Sequence, residues 1–251
     1  MLFYLGTHVL SYCKHFEYVF ISIKVLRRRK SDFGVNNWIM DSGAFSDIVL
    51  NGRFSNSPQE YAQEINRWSN CGKLEMAVSQ DYMCEPFALE KTGLTIVEHQ
   101  GLTIKRYDEL IKYTSIPIMP VLQGYEPIDY LRHIEQYGDR LKAGMRVGIG
   151  SVCKRNKTVR EIVDVIEPIK KKVPDIRLHG FGLKITALKN MYVHSLLYSS
   201  DSSAWSYHAR KQFNSPNRLS EAFWYINKLN SSKNTKPHQF SFGNEVGDIE
   251  L

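Results

Sequence analysis

The feature that most constrains this chain is a recurrence: short apolar runs, rich in β-branched and aromatic residues, alternate with longer amphipathic stretches along most of its 251 residues. Eight runs read as strands: Leu2–Thr7, Tyr18–Lys24, Trp38–Met40, Glu75–Val78, Ile116–Leu122, Met145–Ile149, Ile176–Gly180 and Ser195–Ser199. Each is too short for a buried helix. Between them, Ser57-Pro58-Gln59-Glu60 predicts a capping box that opens a helix carrying Tyr61, Ile65 and Trp68. Thr103–Tyr113, the stripe Ile128, Leu131 and Ile134, Thr158–Lys172 and the stripe Leu219, Phe223, Ile226 and Leu229 predict further helices. Pro168 is expected to kink or end the fourth of these five. Strand–helix alternation calls for parallel β/α units, and eight strands permit closure. The expected fold is α/β: a single (β/α)8 TIM barrel over residues 1–230, irregular around its first strands, with a polar C-terminal tail over 231–251.

No run reaches the roughly 18 apolar residues of a membrane span, so no membrane partner is expected. The apolar stretch Val19–Leu26 precedes the cluster Arg27–Lys30, the reverse of a secretory signal, and a cytoplasmic location is expected. Cys13, Cys71, Cys84 and Cys153 lie far apart without a C-x-x-C pair. That spacing predicts reduced, mostly buried thiols and no metal site, and nothing in the sequence asks for a cofactor. A net charge of +7 suits a polyanionic partner.

The chemistry gathers after the strands. Asp41-Ser42-Gly43-Ala44-Phe45 follows the third, and Gln80-Asp81-Tyr82-Met83-Cys84-Glu85-Pro86 follows the fourth. The fifth ends in Leu122-Gln123-Gly124, and the sixth in Gly148-Ile149-Gly150-Ser151. The seventh leads into His179-Gly180-Phe181-Gly182-Leu183-Lys184, and the eighth into Ser200-Asp201-Ser202-Ser203-Ala204-Trp205. In a barrel these endings share one face, where active sites sit, so three acids and a carboxamide are expected to converge. The bland alternative for each is a turn or cap residue.

This order of motifs, over Leu2 to Arg210, resembles the tRNA-guanine transglycosylase family, and more closely its DpdA-type branch, which inserts 7-deazaguanines into DNA. The resemblance rests on Asp41–Phe45, Ser79–Pro86, Val121–Gly124, Val147–Cys153, His179–Lys184 and Asp201–Trp205, and it implies roles for them. Asp201 looks like the nucleophile that attacks C1′ of the target guanosine. Asp41 matches the acid of the family's D-S-G-G-F segment, with Ala44 in place of the second glycine. Asp81 corresponds to the acid that receives the guanine N1 and N2 hydrogens. Gln123 and the backbone around Gly150 resemble the groups that read O6 and the position-7 substituent. Ser42, Gly43, Phe45, Gly124, Ser151, His179 and Gly180 complete the expected base site, and Phe45, Tyr82 and Trp205 are candidates to stack on the target. Arg53, Lys154, Arg155, Lys184 and Arg210 are candidates for backbone phosphates. His99 and Gln100 match a recurring pair whose role the sequence does not give.

The zinc-binding cysteines and histidine of the tRNA enzymes have no counterpart after Trp205, which favours DNA over tRNA as substrate. The implied activity is exchange of guanine for a 7-deazaguanine base through a covalent aspartyl-ribosyl intermediate. Its rivals are the same exchange on tRNA, hydrolysis of the intermediate, and a non-catalytic nucleic-acid-binding subunit. A helper that opens the duplex and a homodimer, as tRNA-type relatives form, remain among the expected partners.

Overall fold

A computed structural model describes residues 1–155, 158–215 and 217–231, Lys154 by its backbone only. Nine parallel segments form one sheet: β1 (Leu2–Gly6), β2 (Tyr18–Ser22), β3 (Asn37–Asp41), β4 (Lys73–Val78), β5 (Ile118–Met119), β6 (Val121–Leu122), β7 (Arg146–Ile149), β8 (Arg177–Gly180) and β9 (Ser199–Ser202). Their order is β5-β4-β3-β2-β1-β9-β8-β7-β6. β5 and β6 sit at the two ends of that order yet are separated only by Pro120. They are therefore two halves of one stave, and the ring closes through it as an eight-stave barrel. Proline has no N–H for a ladder, which is why the stave splits there. Its carbonyl still accepts from Gly148 N at 2.8 Å.

Alternation along each stave sorts its side chains into two layers. Tyr4, Ile39, Met76, Val78, Met119 and Val121 fill the barrel interior, with Leu2, Tyr18, Phe20 and Phe181 against them. Leu5, Val19, Ile21, Trp38 and Met40 point outward, beneath the helices. Low in the interior a polar knot replaces apolar packing. Tyr4 Oη donates to Glu75 Oε2 at 2.6 Å, and Arg146 Nη1 reaches Tyr4 Oη at 2.8 Å and Glu75 Oε2 at 3.4 Å. Deleting one partner strands the other charge away from water. Arg146→Ala is expected to cost about 2–3 kcal/mol, read as a fall in the denaturant midpoint with an unchanged slope.

The helices follow from their caps. Ser57 and Glu60 form the expected capping box at Pro58–Trp68, burying Tyr61, Ile65 and Trp68. The helix expected from Thr103 begins earlier, at Ile96, because Thr95 and Glu98 form a second capping box. Helix Val159–Lys172 runs through Pro168 without ending. The carbonyl deprived of its partner there belongs to Asp164, an exposed residue, so water can take the place of the missing N–H. Ile128 and Phe223 face solvent; the buried sides of their helices are Tyr130, His133, Ile134 and Tyr137, and Ala222, Tyr225 and Leu229.

Two strand expectations are corrected. The second stave stops at Ser22, and Ile23–Leu26 turns into a short helix. The last stave is Ser199–Ser202, not Ser195–Ser199, since Met191–Leu196 is a helix capped by the Asn190 side chain. Ser-Ser-Asp-Ser has poor strand propensity, but pairing on both sides, with β1 and β8, overrides it. The early connections are irregular, as expected: a 3-10 turn, Leu10–His15, and that four-residue helix. The expected tail lies, apart from Ser231, outside the described residues. Among the described residues no helix is long and apolar enough to cross a membrane.

Candidate active site

A cavity of about 350 Å3 opens at the C-terminal ends of the staves, and Asp41, Asp81 and Asp201 all line it. Strand periodicity aims two of them. Ile39 fills the barrel interior, so Asp41, two residues on, also faces inward. Ser199 and Asp201 share the inward face of β9 for the same reason. Asp81 comes from the loop that leaves β4.

Asp201 is 6% exposed and held from one side. Its Oδ1 lies 3.3 Å from His179 Nε2 and accepts from Gly182 N at 3.1 Å. His179 Nδ1 lies 2.8 Å from Ser199 Oγ. Burial pushes the His179 pKa down, so the ring is neutral near pH 7. A carboxylate only accepts, which assigns the proton to Nε2 and leaves Nδ1 to accept from the Ser199 hydroxyl. Phe20 stacks on the imidazole at 5.7 Å and Phe181 meets it edge-on at 4.9 Å, fixing its plane. Both donors engage Oδ1, which leaves Oδ2 as the oxygen for a ligand.

Asp41 is half-buried; Gly43 N–H donates to its Oδ2 at 3.0 Å, and the Ser22 hydroxyl also bonds it. Gly43 has φ 73°, and a Cβ there would lie 2.7 Å from Lys24 Cγ, so the turn needs glycine. Burial raises the Asp41 pKa, and the neighbouring Asp201 charge adds to the effect. Asp81 is 7% exposed, and burial, reinforced by Asp41, lifts its pKa to about 7. The Gln123 amide donates to Asp81 Oδ2, and Ser151 Oγ donates to Gln123 Oε1 at 3.2 Å.

Behind these groups stands the pair whose role the sequence left open. His99 Nδ1–H donates to the Met83 carbonyl at 2.6 Å, pinning the loop that carries Asp81. Gln100 Nε2 donates to the carbonyls of Gln123, at 2.8 Å, and Asp129, at 2.9 Å. Gln123 N donates in turn to His133 Nδ1 at 2.8 Å. Adjacent residues on one helix thus fix the two loops that meet in the cavity.

Of the expected base-site residues, Asp41, Phe45, Asp81, Gln123, Gly150, Ser151 and Asp201 line the cavity. Ser42, Gly43, Gly124, His179 and Gly180 stand behind it. Gly124 lets its loop close on the helix above, since a Cβ would lie 2.8 Å from Asp129 Cβ; a Cβ on Gly180 would lie 2.8 Å from Leu183 Cδ1. Phe45 is exposed at the mouth, as a stacking group needs to be. Trp205 and Tyr82 are corrected. Trp205 is fully buried with Nε1 bonded to Gly6 O at 2.8 Å, and Tyr82 packs edge-on against Phe54 and His99. Neither residue lines the cavity.

Arg53, Lys184 and Arg210 are exposed, Arg155 is half-buried with its guanidinium 5.1 Å from the Tyr125 ring centroid, and the Lys154 side chain lies outside the described residues. None of the four described side chains lines the cavity. The sequence reading missed Phe20, Phe181, Ser203 and Glu85, which do. Phe20 was legible, two residues from Tyr18 on an inward face; Glu85 was hidden by its place before Pro86, where an acid reads as a turn residue. Four carboxyl groups therefore share one partly dry space, a setting that keeps some of them protonated near neutrality and suits acid–base and nucleophilic work.

Cys13, Cys71 and Cys84 are buried and reduced, and Cys153 edges the cavity. Among the described residues no cluster of His, Cys, Asp and Glu is arranged to hold a metal ion. A second cavity, about 280 Å3 around Met1, Phe16 and Leu229, brings a single carboxylate, Glu17. The family model described as DpdA, DeoxyPurine in DNA protein A, matches residues 1–222. No curated protein matches the chain.

Proposed function

Since the chain belongs to the DpdA family, we propose that it exchanges guanine in DNA for a 7-deazaguanine base through a covalent bond to Asp201. Family membership carries the coarser statement, a transglycosylase role in DNA modification. The observation that supports the finer one is the single cavity lined by Asp41, Asp81 and Asp201, with one oxygen of Asp201 held and the other left over.

In this reading Asp201 Oδ2 attacks C1′ as the C1′–N9 bond breaks, and the bonding pair leaves with the purine. Asp41, its pKa raised, gives the departing base a proton. The incoming 7-deazaguanine returns a proton to Asp41 and attacks C1′, releasing Asp201. Two displacements restore the original configuration. Ionised Asp81 accepts from N1–H and N2–H, and the Gln123 amide, which has a second hydrogen beside the one given to Asp81, donates to O6. Adenine offers no such donors and leaves Asp81 unsatisfied. His179 and Gly182 are positioning groups, and Phe45 covers the base at the mouth.

The test is incubation with labelled guanine and either duplex DNA or tRNA, with nucleoside analysis of the product. Label in DNA supports the proposal; label in tRNA alone, or alkali-labile abasic sites in place of label, overturns it. His179→Phe is expected to slow exchange about 100-fold, the scale of a misplaced reacting group. The covalent protein–DNA complex on a denaturing gel should persist, because the nucleophile itself remains.

A further inference from the structure

The chain between the nucleophile strand and residue 231 forms a helical hairpin, Ala204–Phe213 and Leu219–Asn230, that the chemistry above does not use. It is anchored to the cavity at two places. Ser203, which lines the cavity, is the cap from which the first helix starts. At the far turn, Asn217 bonds through Oδ1 to His8 Nε2 at 2.6 Å, and its carbonyl accepts from Tyr12 Oη at 2.9 Å. His8 is itself a cavity residue. His208 ties the two helices, stacking on Trp224 at 4.7 Å and bonding Glu221 at 2.8 Å.

The surface of this hairpin is unusual in composition. Its one acid, Glu221, is buried and paired with His208, whereas Arg210, Lys211 and Arg218 are exposed. Trp205 and Tyr225 pack inward, but its other rings are exposed: Tyr207 by 57%, Phe213 by 47%, Phe223 by 41% and Trp224 by 40%. Phe223 packs on Phe16 and His15, and the other three each carry a cation. Lys211 Nζ lies 5.1 Å from the Tyr207 centroid, Arg218 Cζ 3.9 Å from that of Phe213, and Lys228 Nζ 4.4 Å from that of Trp224. A purely structural hairpin has no use for three rings in water, and a binding surface for an apolar protein has none for four cations. Rings that stack on bases beside cations that meet phosphates are what a single nucleic-acid strand requires.

We propose that this hairpin is the platform that grips the DNA strand flanking the target guanine, its rings stacking on unpaired bases and Arg210, Lys211 and Arg218 meeting phosphates. The scale is right: from Ser203 to Lys211 the helix advances about 12 Å, the axial length of roughly three to four nucleotides at about 3.4 Å each. The inference rests on the reading that DNA enters the cavity, but it concerns strand binding and not base exchange. It also gives the base, once lifted from its stack, a neighbouring surface that holds the opened strand.

The test is fluorescence anisotropy of the full chain with a labelled guanine-containing oligonucleotide, single-stranded or duplex, between about 50 and 200 mM salt. The triple variant R210A/K211A/R218A should bind single-stranded DNA at least tenfold more weakly, with a log–log salt slope reduced by about 2, at about 0.7 per lost phosphate contact. Tyr207→Ala should weaken single-strand binding about fivefold or more and duplex binding less. Unchanged affinity and slope in the triple variant, with unchanged affinity in Tyr207→Ala, overturns the proposal, as does preference for a structured RNA of equal length. Exchange that survives Asp201→Asn while the hairpin variants lose DNA overturns the catalytic reading and leaves the platform standing.

Discussion

Asp201→Asn is expected to lower the rate of base exchange by about 10,000-fold or more, the scale seen when a covalent nucleophile is removed, while the protein stays folded. The amide has nearly the shape of the carboxylate, and its oxygen can still accept from Gly182 N–H, so the wall formed by His179, Phe20 and Phe181 has no reason to move. What disappears is the oxygen proposed as the nucleophile. Without it the ribosyl cation has only water to meet, and the second displacement has nothing to displace. Two readouts follow: loss of label transfer, and loss of the protein–oligonucleotide band on a denaturing gel. Normal exchange of labelled guanine by the Asn variant would sink the mechanism. Because Asp201 lies inside a stave between β1 and β8, an unfolded variant would show at once as a collapse of the melting transition.

Much of this was legible in the sequence, and the residues show why. The motifs at the strand ends, with the family resemblance they carry, picked out seven of the lining residues, because barrel closure turns a one-dimensional pattern into a shared face. Asp201 was found by motif order although the stave around it was misplaced by four residues: Ser199–Ser202 is a strand by virtue of its neighbours, and no local propensity announces that. Trp205 and Tyr82 read as mouth residues because they follow site motifs. Whether an aromatic at a strand end turns into the cavity or under a helix depends on tertiary contacts, here Gly6 O for one and Phe54 for the other. His99 and Gln100 had no derivable role because their partners, Met83 O and Gln123 O, are backbone atoms far along the chain. The cationic hairpin escaped for a simpler reason. Arg210 was noted singly; Lys211 on Tyr207 and Lys228 on Trp224 are pairs within one helix, but Arg218 on Phe213 requires two helices to be folded together.

Asp81→Asn is expected to make the protein more stable at pH 8 and nearly useless as a catalyst. Burial, with Asp41 nearby, raises the Asp81 pKa from 3.8 to about 7, so the folded protein holds this proton more tightly than the unfolded chain does. The sign follows from linkage. The contribution of protonated Asp81 to stability is fully present below about pH 4 and is lost as pH rises through about 7. Above that, keeping the carboxylate ionised in its pocket costs on the order of 4 kcal/mol, at about 1.4 kcal/mol per pKa unit. Asparagine imitates the protonated form at every pH and still accepts from the Gln123 amide. Wild type and variant should therefore melt together near pH 4 and diverge toward pH 8, the variant melting higher. Asp41, whose pKa is also raised, remains in both proteins, so their difference reads Asp81 together with its coupling to Asp41. Activity should run the other way. Only the ionised form accepts both N1–H and N2–H, so wild-type exchange should rise with pH through about 7, and the variant should lose at least about 100-fold in guanine exchange. A wild-type melting temperature that does not fall relative to the variant between pH 5 and 8 would mean that the acid is not held in a dry pocket. The guanine-selecting role would then lose its physical basis, for a carboxylate already at ease in water has no need of the base's two donors.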